Sequence, residues 1–247
     1  MHQDTDILAF GAHPDDVELT MGGLLLAARA RGQSVVIVDL TRGEKGTRGD
    51  AATRAKEASE AARILGVQER EQLALPDCGV LLTEEARLRV MESMRRWRPR
   101  IVLAPDEEDL HPDHAWTGRL VREAAFLAGV GKLGQGGAHR PRAVLTACMH
   151  HLREPSFIVD ISAHFQRKKE ACLAYRSQFH NAASTEPETY IARPEFFVWW
   201  EARARTLGHT IGVQFGEGYM HRGPLRVDDP VQLFAHPGRY PSAPREP

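Results

Sequence analysis

Apolar positions fall into short unbroken runs separated by stretches with helical spacing, and this alternation governs about the first 150 residues. Ile7 to Phe10 is the first run. Gly22-Gly23-Leu24-Leu25-Leu26-Ala27-Ala28 reads as the opening of a buried helix, with Gly32 as its C-terminal stop. Val35 to Leu40 is β-branched and almost wholly apolar, as a strand buried on both faces should be. Beyond the polar loop Thr41 to Gly49, Asp50 is placed to cap a helix. Its Ala51, Ala55, Ala58, Ala62 and Leu65 recur at helical spacing. A weak strand is expected at Gln72 to Leu75. A helix capped by Thr83 then carries Leu88, Met91, Met94 and Trp97 to a stop at Pro99. Ile101 to Ala104 is the next strand, and a helix capped by Asp113 runs from His114 to about Ala128.

Past Gly129 the pattern loosens. Gly129 to Arg142 reads as an exposed loop, Ala143 to Met149 and Phe157 to Asp160 as strands, and Phe165 to Tyr175 as a helix. Gln178 to Glu195 is a long polar connection, of the kind that serves as a lid or a subunit contact. Phe196 to Leu207 is expected to be helical. Repeated strand–helix units imply an α/β fold with a Rossmann-like, mostly parallel sheet and helices on both faces. The expectation is a single domain over 1–235, followed by a Pro-rich tail over 236–247.

Composition narrows the function classes. Against 33 acidic residues stand 32 Lys and Arg, a net charge of −1 that draws the chain to neither nucleic acid nor anionic membrane. No apolar run approaches the roughly 18 residues of a membrane span. The start, Met1-His2-Gln3-Asp4-Thr5-Asp6, lacks a secretory pattern. Cys78, Cys148 and Cys172 are odd in number and widely spaced, so they read as reduced thiols of a cytoplasmic protein. The glycines of 129–142 form no phosphate-cradling fingerprint.

The chemistry gathers at two turns. Ala12-His13-Pro14-Asp15-Asp16-Val17-Glu18 follows the first strand, and His111-Pro112-Asp113-His114 follows the strand at Ile101 to Ala104. Crowding acids and imidazoles at a strand's carboxyl end is costly unless a cation sits among them. Two His and one carboxylate, leaving a position for water, suit catalytic zinc. One His-Pro-Asp alone is common, and Ala235-His236-Pro237-Gly238 is a decoy with no following acid. Two such turns at separate strand ends carry more weight.

These motifs resemble the LmbE/PIG-L-like zinc deacetylases. The likeness continues through Leu40-Thr41-Arg42-Gly43-Glu44, Leu75-Pro76-Asp77, Val159-Asp160-Ile161-Ser162, Ala174-Tyr175-Arg176-Ser177-Gln178-Phe179, and Ile211-Gly212-Val213 to Gly216-Glu217-Gly218, which resemble the bacillithiol-pathway branch acting on N-acetylglucosaminyl-malate. The resemblance implies that His13, Asp16 and His114 hold zinc, with ferrous iron as the alternative ion. It makes Asp15 the general base, and places His111 at the substrate carbonyl with Asp113 orienting it. Arg54 and Arg140 fall where relatives contact substrate. Glu18 is expected to bind a sugar hydroxyl or to orient a ligand, a helix-dipole role standing beside that. The implied partner is a small N-acetylglucosaminyl molecule, with no nucleic acid or membrane, and a homo-oligomer is expected. One departure is Leu110, where relatives commonly place Arg directly before the His-Pro-Asp-His motif. Other readings are deacetylation of another N-acetyl sugar, amide cleavage of thiol conjugates, and a metal-binding regulatory protein without turnover.

Overall fold

Alternate residues of the apolar runs pack against different helix layers. A computed structural model of the protein describes residues 4–180 and 184–235. In strand β1 (Ile7–Gly11), Leu8 and Phe10 join Val36 and Val38 of β2 (Val35–Asp39) and Val102 and Ala104 of β4 (Ile101–Pro105). That face is covered by α3 (Glu84–Trp97) and α4 (Pro112–Ala128), through Val90, Met91, Met94, Leu120 and Val121. Ile7, Ala9, Val35, Ile37 and Leu103 point the other way. There they meet Val17, Met21 and Leu25 of α1 (Asp16–Ala30), Leu65 of α2 (Ala51–Leu65) and Ala171 of α5 (Phe165–Leu173). Period-two packing on two covered faces is what makes these strands read as unbroken apolar runs.

The described strands form one seven-stranded sheet in the order β3-β2-β1-β4-β5-β7-β6, completed by β3 (Glu69–Gln72), β5 (Ala143–Ala147), β6 (Phe157–Asp160) and β7 (Gly216–His221). All neighbours from β3 to β5 pair in parallel, and β7 runs antiparallel to both β5 and β6. The expected Rossmann-like, mostly parallel sheet is therefore present. Its strand order reverses between β1 and β4, the crevice where open α/β sheets bind ligands. Gly118 permits the close seat of α4 there, since a Cβ on it would lie 2.4 Å from the Pro105 carbonyl oxygen.

Several elements depart from the sequence reading. Helix α1 starts at Asp16 rather than near Gly22, so Asp16 and Glu18 lie in its first turn. The weak strand lies at Glu69–Gln72 instead of Gln72 to Leu75. It lacks an apolar run because Arg70 reaches inward to pair with Asp39 (2.7 Å) and Glu18 (2.5 Å). Strand β7 has no counterpart in the sequence reading. Its sequence Gly-Glu-Gly-Tyr-Met-His mixes glycine with charge, and it is held by its place between two strands. A Cβ on Gly216 would lie 2.8 Å from the backbone nitrogen of Gly208 in α6 (Phe196–Ile211), so glycine lets strand and helix touch. Asp50 and Thr83 cap α2 and α3 as expected, accepting from the Thr53 and Ala86 N–H groups. Between residues 184 and 195 lies a short 3₁₀ turn, Tyr190–Ala192, and a brief α7 (Pro230–Leu233) follows β7. The tail expected over 236–247 lies outside the described residues.

Candidate metal centre and active site

Two backbone features present the first turn. Asp15 sits just before α1 with φ 114°, a left-handed conformation that strains a non-glycine residue. The Asp16 carboxylate accepts the His13 N–H at 2.8 Å, folding the turn so that imidazole and carboxylate face together. The second turn is a helix start. His111, not Asp113, caps α4, its Nδ1 accepting the Asp113 N–H at 3.2 Å, and Pro112 occupies the first helical position.

His13, Asp16 and His114 converge, with ligand atoms that all lie within 4.8 Å of one another. The nitrogens facing Asp16 are His13 Nδ1 (3.5 Å) and His114 Nε2 (3.1 Å). Each ring's other nitrogen meets a carboxylate. His13 Nε2 lies 3.2 Å from Asp77 and 3.3 Å from Asp113, and His114 Nδ1 lies 3.3 Å from Asp109. A carboxylate behind each imidazole is the usual support of a metal-ligating histidine, fixing its tautomer and raising its basicity. Neutral imidazole and carboxylate suit zinc and ferrous iron alike, so the donor set fits a divalent ion.

Charge coupling in this cluster is strong. Burial opposes charging His13, but hydrogen bonds to Asp113, Asp16 and Asp77 overcome it and hold its pKa well above the ordinary value. Burial likewise opposes charging His114, yet Asp16 and Asp109 push its pKa up to about 9. Asp16 goes the other way, held well below the carboxylate range by His114 and His13 despite its burial. Asp15, beside them, is raised to about 7, chiefly by burial, against the pull of Arg54. His111 is lowered by burial and by the neighbouring imidazoles.

The structure moves several residues from their expected places. Arg54 is buried, and its Nη2 donates to the Asp15 carboxylate at 3.0 Å and to the Pro14 carbonyl, so it stands behind the acid. Asp113 does not hold His111 with its side chain: one oxygen meets His13 and the other accepts the Val80 N–H at 3.3 Å. Glu18 is fully buried under the site, bonded to Arg70 and to the Tyr175 hydroxyl, where no sugar reaches it. Arg140 precedes β5, at the opposite end of the sheet from the two turns, with its guanidinium 4.6 Å from the Phe126 ring. Three participants carry no clear signal of this role in the sequence. Asp77 lies only within a resemblance run, Asp109 within an acidic turn, and His150, whose Nδ1 is 2.6 Å from Asp109, belongs to no motif.

A family model described as PIG-L, GlcNAc-PI de-N-acetylase, matches residues 8–125, which include both turns. A diacetylchitobiose deacetylase of Thermococcus kodakarensis is 30% identical over 228 residues, covering 86% of this chain and 80% of the relative. The chain belongs to the PIG-L family of deacetylases. A 1D-myo-inositol 2-acetamido-2-deoxy-alpha-D-glucopyranoside deacetylase of Nakamurella multipartita is 31% identical over 188 residues, 60% of this PIG-L-family chain and 64% of the relative. Among solved structures, the conserved protein TT1542 of Thermus thermophilus is 39% identical with a TM-score of 0.83, covering 90% of this chain and 97% of the other. Among the described residues no helix is long and apolar enough to cross a membrane.

Proposed function

We propose that this chain is a divalent-metal-dependent hydrolase that removes the acetyl group from an N-acetylglucosaminyl conjugate, with zinc at His13, Asp16 and His114. The observation that carries this is the convergence of those three side chains beside a buried carboxyl, Asp15, whose pKa of about 7 suits proton transfer at neutral pH. When bound, a divalent cation supplies Lewis acidity, making water acidic near neutral pH and polarising an amide carbonyl. Asp15 takes the attacking water's proton and passes it to the departing amine nitrogen, a role worth about 10²–10⁴-fold. Arg54 fixes the orientation and charge of that carboxylate. His111 accepts the Asp113 N–H at Nδ1, which leaves Nε2 as its protonated nitrogen when neutral. With its pKa lowered, it assists the carbonyl oxygen as a neutral donor. Asp77 and Asp113 hold His13, and Asp109 holds His114.

The finer substrate assignment follows the motif resemblance to the bacillithiol branch, in which the conjugate is N-acetylglucosaminyl-malate and the enzyme works in the cytoplasm. Leu110 weighs against malate, because it is 72% exposed beside the site and offers no cation to a carboxylate. Metal analysis of the purified protein, combined with acetate release from the malate, inositol and chitobiose conjugates, tests the reading. One tightly bound ion per chain with acetate released from at least one conjugate is expected. A loaded protein releasing none would be a metal-binding protein without turnover.

A further inference from the structure

Asp109 does more than hold His114. Its Oδ2 accepts the Met149 N–H at 2.8 Å and the Cys148 thiol at 3.4 Å, which pins the carboxylate beneath the rim. Oδ1 faces two imidazoles, His114 Nδ1 at 3.3 Å and His150 Nδ1 at 2.6 Å. One carboxylate is enough to orient a ligating ring, so the second imidazole is surplus to that task, and the proposed chemistry does not use it. Asp109, His114 and His150 each offer a donor atom, all within 4.8 Å of one another, as do His13, Asp16 and His114. Tetrahedral bonds of about 2.1 Å would set such donors about 3.4 Å apart, a small adjustment from these separations. The two sets have the same chemistry, two imidazoles and one carboxylate. His114 belongs to both through opposite nitrogens, Nε2 toward Asp16 and Nδ1 toward Asp109. The second set has its own opening. The His150 side chain is 20% exposed and lines a cleft of about 460 Å³ between the end of β5, the first turns of α1, the start of β7 and helix α6. The rings of Tyr190 and Trp199 follow His150 outward, at 6.3 Å and 6.0 Å between successive centroids, so an ion bound here keeps a face toward solvent.

We propose that Asp109, His114 and His150 form a second, weaker site for a borderline divalent cation such as zinc, and that filling it slows the hydrolase. Two imidazole donors favour zinc or cobalt over magnesium or calcium, which take oxygen ligands. The site is the weaker of the two because His13 has carboxylates behind its outer nitrogen, whereas among the described residues none stands behind His150 Nε2. The slowing follows from sharing one ring. A neutral imidazole has one lone pair and one N–H. When His114 gives its Nε2 lone pair to the first ion, its Nδ1–H belongs to Asp109. An ion at Nδ1 diverts that carboxylate and competes for the ring itself. Losing such a partner costs a metal ligand about 10–100-fold in affinity or activity. The coupling is reciprocal, so a filled first site weakens the second by the same factor.

Equilibrium dialysis of the full chain against rising free zinc, with bound zinc counted by elemental analysis, tests the site on wild type, His150→Phe and His150→Ala. Wild type is expected to bind two ions in two steps, the second at least about tenfold weaker, and both variants to keep only the first. The retained first step shows that each variant is folded. A single step in wild type, or a second step that persists in both variants, overturns the proposal. Nitrogen NMR of the imidazoles decides it in wild type alone: the His150 Nδ1 signal must shift during the second step, and a signal unmoved across that step sinks the site. Acetate release from N,N'-diacetylchitobiose should fall about 10–100-fold over the second step in wild type. In His150→Phe the rate should hold level over the same zinc range, relative to that variant's own rate with one ion. A fall along the same zinc curve in both proteins refutes the slowing. Absence of acetate from every conjugate defeats the deacetylase reading instead, and the dialysis and NMR results still decide the site.

Discussion

Replacing Arg54 by Met separates a substrate contact from a residue that tunes the base. Resemblance assigns Arg54 to substrate, whereas its guanidinium lies 3.0 Å from Asp15 and both groups are buried. Unit charges at that distance attract by about 1.4 kcal/mol at the dielectric of water and about 5.5 kcal/mol at an effective value of 20. The smaller figure corresponds to about one pH unit, a floor for a buried pair. A general base works as the carboxylate, the form that Arg54 stabilises. Its removal must therefore raise the Asp15 pKa from about 7 and carry the acid limb of kcat/KM to higher pH. The expected loss at pH 7 is at least about fivefold, since the ionised fraction falls from about one half to about one tenth, recovering as pH rises, with Arg54→Lys shifted less. Acetate release from about pH 5 to 10, with metal content measured at each point, reads this directly. Equal loss at every pH, or a change confined to KM, would refute the positioning role and return Arg54 to the substrate.

Asp15→Asn should retain metal while kcat falls about 10²–10⁴-fold, whereas His13→Ala should lose metal and activity together. Equal metal loss in the two variants contradicts that division. Asp77→Asn removes one support of His13 and should weaken zinc about 10–100-fold in competition with a chelator; unaltered affinity would leave Asp77 without this role. In metal-stripped protein, His13 and His114 have folded pKa values above the unfolded value of about 6.5. Their stabilisation is complete below that pH and fades as pH rises through about 9. The low-held acids Asp16, Asp77, Asp109 and Asp113 lose theirs only on the acid side, below about pH 4. The stripped protein should thus melt lower at pH 9 than at pH 6.5, and zinc should abolish that slope. A flat melting profile without metal would show that these contacts store no such energy.

The parallel half of the sheet was legible because its strands are buried on both faces, which turns a tertiary condition into a local apolar run at Val35 to Leu40 and Ile101 to Ala104. Strands β3 and β7 were not, since Arg70 and Glu217 are satisfied by partners distant in sequence. Of the site, the two His-Pro-Asp turns stood out as unusual residue clusters at strand ends. Glu18 and Arg140 looked like ligand contacts for the same reason: a charged residue near a motif says nothing about which way it points. Glu18 points into Arg70 and Tyr175, and Arg140 lies against Phe126 at the far end of the strands.

By itself the chain's order of residues determined which acids and imidazoles would gather and that two strand ends would bring them. Those are local matters of side-chain type, helix start and strand patterning. Tertiary structure alone decided the partners. Asp113 and Asp77 stand behind His13, Asp109 behind His114, Arg54 behind Asp15, and a row of rings leads away from the cluster. Electrostatic coupling and stacking depend on separations of a few ångströms between residues far apart in the chain. Only the packing of α1, α4 and the loops around the switch between β1 and β4 sets those separations.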